Sequence, residues 1–255
     1  RLFRLAADGA LINRMGFNGG GLDVFAGNVT HAQDKGVAGP LGINIGANRD
    51  SADFIGDYVQ CVKRLAPFAD YVALNLSSPN TPGLRSFQEG EALRTLLGRV
   101  TEAVAVMKTP VRLLLKLAPE LKGAALVESV HAAVEFGIGG LILCNTTLVR
   151  PAELRSPARE EQGGLSGAPL RAPAIRMMRE VYGLSEGRLP LIGVGGIASA
   201  EDAYARIRAG ASLLQIYTGF IYRGPRLIEE IHAGLAQRLQ ADKFEHIGQA
   251  VGAEA

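Results

Sequence analysis

Five polar side chains, Asn75, Ser77, Ser78, Asn80 and Thr81, crowd into seven consecutive positions. They follow the apolar run Tyr71-Val72-Ala73-Leu74, which reads as a buried strand, and Pro79 and Pro82 keep a helix from starting at once. Packing alone asks for no such cluster. Two amides and three hydroxyls supply donors and acceptors without net charge. At a strand end, that suits a grip on a planar, polar, ring-shaped ligand.

Other chemistry-bearing residues sit at comparable places. Asn44 and Asn145 also end apolar runs. One such asparagine is commonly a turn residue; three look like a converging ring of amides that reads the edges of a pyrimidine or a flavin. Lys116 lies inside Leu113-Leu114-Leu115-Lys116-Leu117. A lysine in a buried strand is rare unless paired. Either it snorkels to solvent, or it offsets negative charge on a ligand, or it forms a Schiff base with a depressed pKa. Gly193-Val194-Gly195-Gly196 follows an apolar run and precedes a helix starting near Ser199. Glycines let the backbone approach an anion and a helix N-terminus adds a favourable field, so the segment reads as a phosphate site, with Tyr217-Thr218-Gly219 completing the cup. The plainer reading is a tight turn. The dinucleotide-binding fingerprint is not met, because no third glycine or downstream acidic residue fits. Residues 13–18, Asn-Arg-Met-Gly-Phe-Asn, taken alone read as a loop plus a helix cap. His131 reads as a surface or packed side chain, and Cys61 as an inert, core-facing or partly exposed thiol.

These residues need elements to hold them. Apolar runs at 41–45, 71–76, 111–117, 139–144, 189–194 and 212–217 read as strands. Between them apolar residues recur with the helical period: Phe54, Tyr58, Val62 and Leu65; Leu93, Leu97, Val100 and Val104; Leu126, Val130 and Ala133; Ile175, Met178 and Val181; Leu227, Ile231, Leu235 and Leu239. Ser51 is the expected N-cap of the first of these helices, and Ser199 with Asp202 fits a capping box. Strand–helix alternation predicts parallel strands with right-handed crossovers. Every strand ends in a polar or glycine-rich segment, which predicts an α/β fold of the (β/α)8 TIM-barrel type with its chemistry at the C-terminal strand ends. About six of the eight barrel strands are visible. The other two are expected before residue 1, since residue 1 is arginine and residues 1–8 read as the middle of something. One barrel domain is expected over 1–255. The long connection at about 148–170 is expected to be a lid or a ligand-contacting loop.

Composition removes several alternatives. Hydrophobic residues make up 47% and charged residues 20%, so the chain is globular. A formal net charge of +2 without a long basic run leaves no footprint for nucleic acid. No apolar stretch is as long as a membrane span, and no signal-peptide pattern opens the sequence. Two cysteines point to a reducing compartment, and four scattered histidines form no metal-binding spacing, so no metal is expected.

Seven motifs taken together resemble the dihydroorotate dehydrogenase family, in the right order from about residue 1 to residue 240. They are residues 13–18, residues 75–83, Lys116-Leu-Ala-Pro119, Asn145-Thr-Thr147, Gly163-Gly-Leu-Ser-Gly167, Gly193-Val-Gly-Gly196 and Gln215-Ile-Tyr-Thr218. Serine at Ser78 resembles the membrane-associated, quinone-dependent class, where the soluble class carries cysteine. The resemblance implies an FMN-containing barrel that oxidises dihydroorotate to orotate in pyrimidine biosynthesis. Hydride would pass to flavin N5, a proton to a serine base, and quinone would reoxidise the flavin. By matched position, Ser78 would take the C5 proton, with Thr81 and Phe17 relaying or shielding it. Asn13, Arg14, Met15, Gly16, Phe17, Asn75, Asn80, Asn145 and Thr146 would hold the substrate. Asn44, Asn75, Lys116, Cys144, Gly167, Gly195, Gly196, Tyr217 and Thr218 would hold FMN. Cys144 stands where the family commonly has threonine. The family's Ala-Ala-Gly flavin contact, its substrate-binding lysine and its N-terminal membrane and quinone-binding helices have no counterpart here. The implied location is peripheral, at the cytoplasmic side of a bacterial inner membrane, or at the mitochondrial inner membrane in a eukaryote, with membrane contact through the absent N-terminal segment.

Two other readings stay open: a Schiff-base lyase built on Lys116 and the phosphate loop, and a non-catalytic barrel used as a binding module. A dihydrouridine synthase is disfavoured by the lack of a basic RNA face.

Overall fold

Apolar side chains on alternate positions of six short strands give the sheet two unlike faces, and that division decides where a ligand can sit. The computed structural model describes residues 1–36, 38–81, 83–108 and 111–255; Pro82 of the polar cluster lies outside them. In chain order come β1 (Leu2–Leu5), β2 (Ala10–Asn13), α1 (Leu22–Asp34), β3 (Gly42–Ile45), α2 (Phe54–Leu65), β4 (Tyr71–Asn75), α3 (Gly90–Ala105), β5 (Arg112–Leu117), α4 (Gly123–Glu135) and β6 (Leu141–Leu143). Then follow β7 (Gly164–Gly167), α5 (Arg171–Ser185), β8 (Leu191–Val194), α6 (Ala200–Arg208), β9 (Leu213–Gln215), α7 (Thr218–Arg223), α8 (Arg226–Ala241) and α9 (Ile247–Ala250).

Strands β3, β4, β5, β6, β8 and β9 pair in that order, all parallel, into one curled half-barrel. Each matches one expected strand to within a few residues. Closure into eight strands is not seen among the described residues.

The outer face carries Ile43, Ile45, Leu74, Leu115, Leu141, Leu143 and Leu191. They pack against Tyr58, Val62, Leu93, Leu97, Leu126, Val130, Met178 and Val181 of the helices, and this is the main core. The inner face carries a separate small cluster, Ala73, Leu114, Ile142 and Ile192. Register sets Asn75 beside Lys116, Lys116 beside Ile142 and Ile142 beside Ile192, so Asn75 and Lys116 stand on the inner face. Because the strands are parallel, their C-terminal ends share one edge, where the polar segments gather.

Three features depart from the expectations. The 148–170 connection is not simply a loop, and residues 1–8, given no element from the sequence, are partly strand. They contribute β1 and β7 to a three-stranded antiparallel sheet, β1-β2-β7, in which Asn13 lies opposite Gly164. Leu5, Ala10, Ile12, Leu154 and Leu165 bury one another against it. Its strands are short and its pairing spans about 150 residues of chain, so no local pattern announces it. Second, Ser51 is not the N-cap of α2. Asp53 is, accepting from Gly56 N at 2.8 Å, while Ser51 Oγ accepts from Asp53 N one turn outside. Third, the capping box at α6 is half formed. Ser199 Oγ accepts from Asp202 N at 3.1 Å, but the Asp202 carboxylate accepts from Ala198 N rather than from Ser199.

Candidate functional site

The end of β4 is fixed from behind. The buried Tyr58 hydroxyl, on α2, donates to Asn75 O at 2.8 Å. Burial pushes the Tyr58 phenol up, so it stays protonated and remains a donor. Replacing Tyr58 with Phe leaves that carbonyl unpaired at a cost of about 1 kcal/mol. The expected result is a melting temperature lower by roughly 2–4 °C, read by thermal denaturation.

Held in this way, Asn75 organises its neighbours. Its Oδ1 accepts from Ser77 Oγ at 2.9 Å, from Ser77 N at 3.3 Å and from Asn145 Nδ2 at 3.2 Å. Asn145 Nδ2 also donates to Ser77 Oγ at 2.9 Å, and Asn145 Oδ1 accepts from Thr146 N at 2.7 Å. Asn75 Nδ2 has no acceptor among the described residues, so it is free to donate to a ligand. Asn44 does not join this network. It stands on the same face, in register with Ala73, and is exposed. The expected ring of three amides is therefore two bonded asparagines and one apart, because β3 ends one layer lower than β4.

Ser78 and Thr81 are buried in the turn that follows. Ser78 Oγ accepts from Asn80 N at 3.3 Å, and its own proton has no acceptor among the described residues. Asn80 Nδ2 reaches Asn13 O at 3.2 Å and Asn13 Oδ1 at 3.4 Å, which ties the turn to β2. Asn13 Oδ1 accepts from Met15 N at 3.4 Å. The Phe17 ring lies over Gly46, so close that a Cβ there would meet ring carbon at 2.2 Å; this places Phe17 at the end of β3. Gly16 has a left-handed φ of 68° just before it. Arg14 points elsewhere. It stacks on Phe3 with 4.6 Å to the ring centroid and pairs with Glu161 at 2.8 Å, on the rim of a cleft of about 460 Å³ that also meets Pro79 and Asn80.

Lys116 occupies the next strand. Its ammonium makes no ion pair or hydrogen bond with any described residue, and burial lowers its pKa. Cys144 is buried just beyond β6 with Sγ 4.0 Å from Val194 O, and burial pushes its thiol up to about 12, so it is a neutral packing group. Gly195 and Gly196 follow β8 with φ of 101° and 73°, a double left-handed bend that only glycine adopts without strain. Thr218 Oγ1 donates to Ser166 Oγ at 2.9 Å, so the start of α7 touches β7 beside Gly167. The Tyr217 side chain is 75% exposed.

The structure thus gathers Asn13, Asn75, Ser78, Asn80, Asn145 and Thr146 into one connected group, with Phe17 packed on Gly46 at the end of β3. It leaves Arg14 and Asn44 on the margin and the Tyr217 ring in solvent. Sequence reasoning placed Ser77 in the polar run but gave it no individual role, although it bonds both Asn75 and Asn145. It missed the pair Arg85 and Glu120, for which no local signal exists. Arg85 donates to Ser77 O at 3.2 Å and Thr146 O at 3.1 Å, and its Nη1 lies 3.0 Å from Glu120 Oε2. Glu120 Oε1 accepts from Thr147 Oγ1 at 2.6 Å and Leu148 N at 2.9 Å. Together the two staple the loops after β4, β5 and β6. Among the described residues, no cluster of three His, Cys, Asp or Glu side chains could hold a metal.

Known proteins resemble the chain throughout. Residues 1–239 match the family model described as dihydroorotate dehydrogenase. A dihydroorotate dehydrogenase (quinone) of Rhodospirillum rubrum is 49% identical over 256 residues, covering 100% of this chain and 69% of that protein. The corresponding protein of Erythrobacter litoralis is 48% identical over 254 residues, covering 100% of this chain and 73% of its own length. A ligand-free crystal structure of DHODH from Eimeria tenella superposes with a TM-score of 0.95 at 36% identity, over 100% of this chain and 76% of that one.

Proposed function

The chain belongs to the dihydroorotate dehydrogenase family, and from that premise we propose that it oxidises dihydroorotate to orotate in pyrimidine biosynthesis, with FMN bound at the strand ends and quinone as the final electron acceptor. The observation that carries this reading is the meeting of Ser78, Asn75, Lys116 and the Gly195–Gly196 bend at one edge of a parallel sheet. The six strands are read as part of an eight-stranded barrel, one domain over 1–255.

The residues fit an anionic, planar cofactor. Among the described residues Lys116 is a cation without a partner, the Asn75 amide donor is free, and Gly195 N and Gly196 N donate to no group. Asn44, Asn75 and Lys116 would face the ring system, beside Cys144. Gly167, Gly195, Gly196, Tyr217 and Thr218 would hold the ribityl-phosphate, Tyr217 through its backbone. Bound FMN would accept the hydride equivalent from substrate C6 and pass its electrons on to quinone.

The chain's own residues place the reactants and move the proton. Asn13, Gly16, Phe17, Asn75, Asn80, Asn145 and Thr146 would grip the pyrimidine edge; Met15 N holds Asn13 in position. Arg14 would act at the rim rather than in the grip. Ser78 Oγ would accept the C5 proton while its own hydroxyl proton passes on toward solvent. A hydroxyl is a poor base in water, and the Asn80 N–H aimed at Oγ would stabilise charge that develops there. Thr81 would help relay that proton, and Phe17 would keep water from it. Lys116 would offset negative charge arising on the ring system.

Quinone as acceptor would place the enzyme peripherally at an inner membrane. Among the described residues no helix is long and apolar enough to cross one. The deciding experiment is the absorbance spectrum of the purified full-length protein under anaerobic conditions. A visible flavin band that bleaches on adding dihydroorotate supports the proposal; a colourless protein, or a band indifferent to dihydroorotate, removes it.

A further inference from the structure

Arg206, on α6, is 1% exposed, the largest fully buried side chain among the described residues. Its stem passes where a side chain on Gly193 would be, since a Cβ there would lie 2.4 Å from Arg206 Cγ. The guanidinium then meets backbone rather than carboxylate. Nη1 donates to Val194 O at 3.0 Å, and Nη2 donates to Gly195 O at 2.8 Å and Arg171 O at 3.4 Å. Nε is buried with no partner among the described residues. Asp202, one turn back on the same helix, acts on it, but its carboxylate is engaged by Arg171 at 3.1 Å and by Ala198 N at 3.0 Å. A guanidinium keeps its charge at any physiological pH. A buried charge whose one acidic neighbour is already bonded to another cation is only partly compensated, and such charges are normally retained opposite an anion.

The geometry points to where that anion goes. In a trans peptide the C=O and N–H point in opposite directions. Arg206 holds the carbonyls of the Val194–Gly195 and Gly195–Gly196 peptides towards the interior. Val194 O also accepts from Cys144 N at 3.2 Å, and the N–H groups of Gly195 and Gly196 therefore point away from Arg206 just beyond the C-terminal end of β8, where neither donates to a described residue. Hydrogen bonds to a cation also polarise both peptides, which strengthens those two donors. We propose that Arg206 is a positioning residue for the cofactor phosphate, acting through two peptide groups without touching the ligand. This rests on the flavin reading above and assigns the buried charge a specific part of that ligand.

The test compares FMN with riboflavin, which lacks the phosphate. Flavin fluorescence gives the dissociation constant of each for deflavinated full-length protein. Arg206→Met keeps the apolar stem without the charge. It is expected to weaken FMN roughly tenfold or more, about 1.4 kcal/mol per tenfold, while riboflavin changes little. Arg206→Lys keeps the charge and is expected to retain the preference for FMN. Equal losses for both flavins in Arg206→Met would show that the residue only shapes the loop, and unchanged FMN binding would overturn the proposal outright. If Arg206→Met does not fold, Arg206→Lys decides: loss of the FMN preference despite a retained charge overturns the proposal, and its retention supports it. Wild-type protein that binds neither flavin removes the flavin reading itself, an outcome distinct from all of these.

Discussion

Ser78→Ala in the full-length protein is expected to keep FMN bound and to slow flavin reduction by dihydroorotate by roughly 10²–10⁴-fold, the usual worth of a positioned general base. The Ser78 hydroxyl is buried and makes one local contact, accepting from Asn80 N. Losing it disturbs neither the Asn75–Ser77–Asn145 network nor the Gly195–Gly196 bend. Binding and chemistry should therefore separate. Stopped-flow absorbance at the flavin band reads the reduction step alone, and the flavin content of the purified variant reads the binding. Reduction at the wild-type rate would take Ser78 out of the proton-transfer role. Ser78→Cys sharpens the test. A thiol ionises near pH 8.5 when unperturbed, so this variant should recover part of the rate and gain more as pH rises through that range.

The division between what the sequence reveals and what it conceals follows the range of the forces involved. All six parallel strands are legible, because each is a continuous apolar run with helices of clear period on either side. The polar strand ends are legible too, since burying Asn75, Ser77, Ser78 and Thr81 at a strand end has no packing explanation. The small sheet β1-β2-β7 is not. Gly-Leu-Ser-Gly at 164–167 lacks any strand signature and becomes one only by pairing with β2, from Ala10↔Gly167 to Asn13↔Gly164. Arg85 and Glu120 are similarly opaque: each looks like an ordinary surface charge until three loops converge around them. Ser51 misled because Ser and Asp are about equally good caps, and only the true start of α2 at Phe54 chooses Asp53. Lys116 was visible as an anomaly, but whether it snorkels or faces inward depends on register with Asn75, which no local pattern reports.

Lys116→Met is expected to act with opposite signs on the empty and the loaded protein. The ammonium has no partner among the described residues, and burial lowers its pKa. In the deflavinated protein it is a partly desolvated charge, so replacing it with an apolar side chain of similar length should raise stability by about 1 kcal/mol. In the holoenzyme the same change removes the cation that would face the flavin, and FMN should be lost during purification, leaving a pale protein. The pH dependence carries the same signature. The folded state releases the Lys116 proton at lower pH than the unfolded chain does. Between the depressed value and the ordinary lysine value the unfolded state therefore binds more protons, and the stability of the empty protein should rise with pH across that window. Below the depressed value the full cost of the buried charge is present. Lys116→Met should flatten this slope, and so should FMN bound to the wild type, because a bound anion restores the ammonium's preference for its charged form. Chemical denaturation of empty and loaded protein across alkaline pH measures all three curves. A fully yellow Lys116→Met protein would argue against a flavin contact. A lysine with a lowered pKa is also what a Schiff-base lyase needs, and borohydride trapping separates the two roles. The flavin reading expects no covalent adduct at Lys116 after treatment with dihydroorotate and borohydride, since the bonded pair Asn75 and Asn145 and the hydroxyl of Ser78 have no task in imine chemistry.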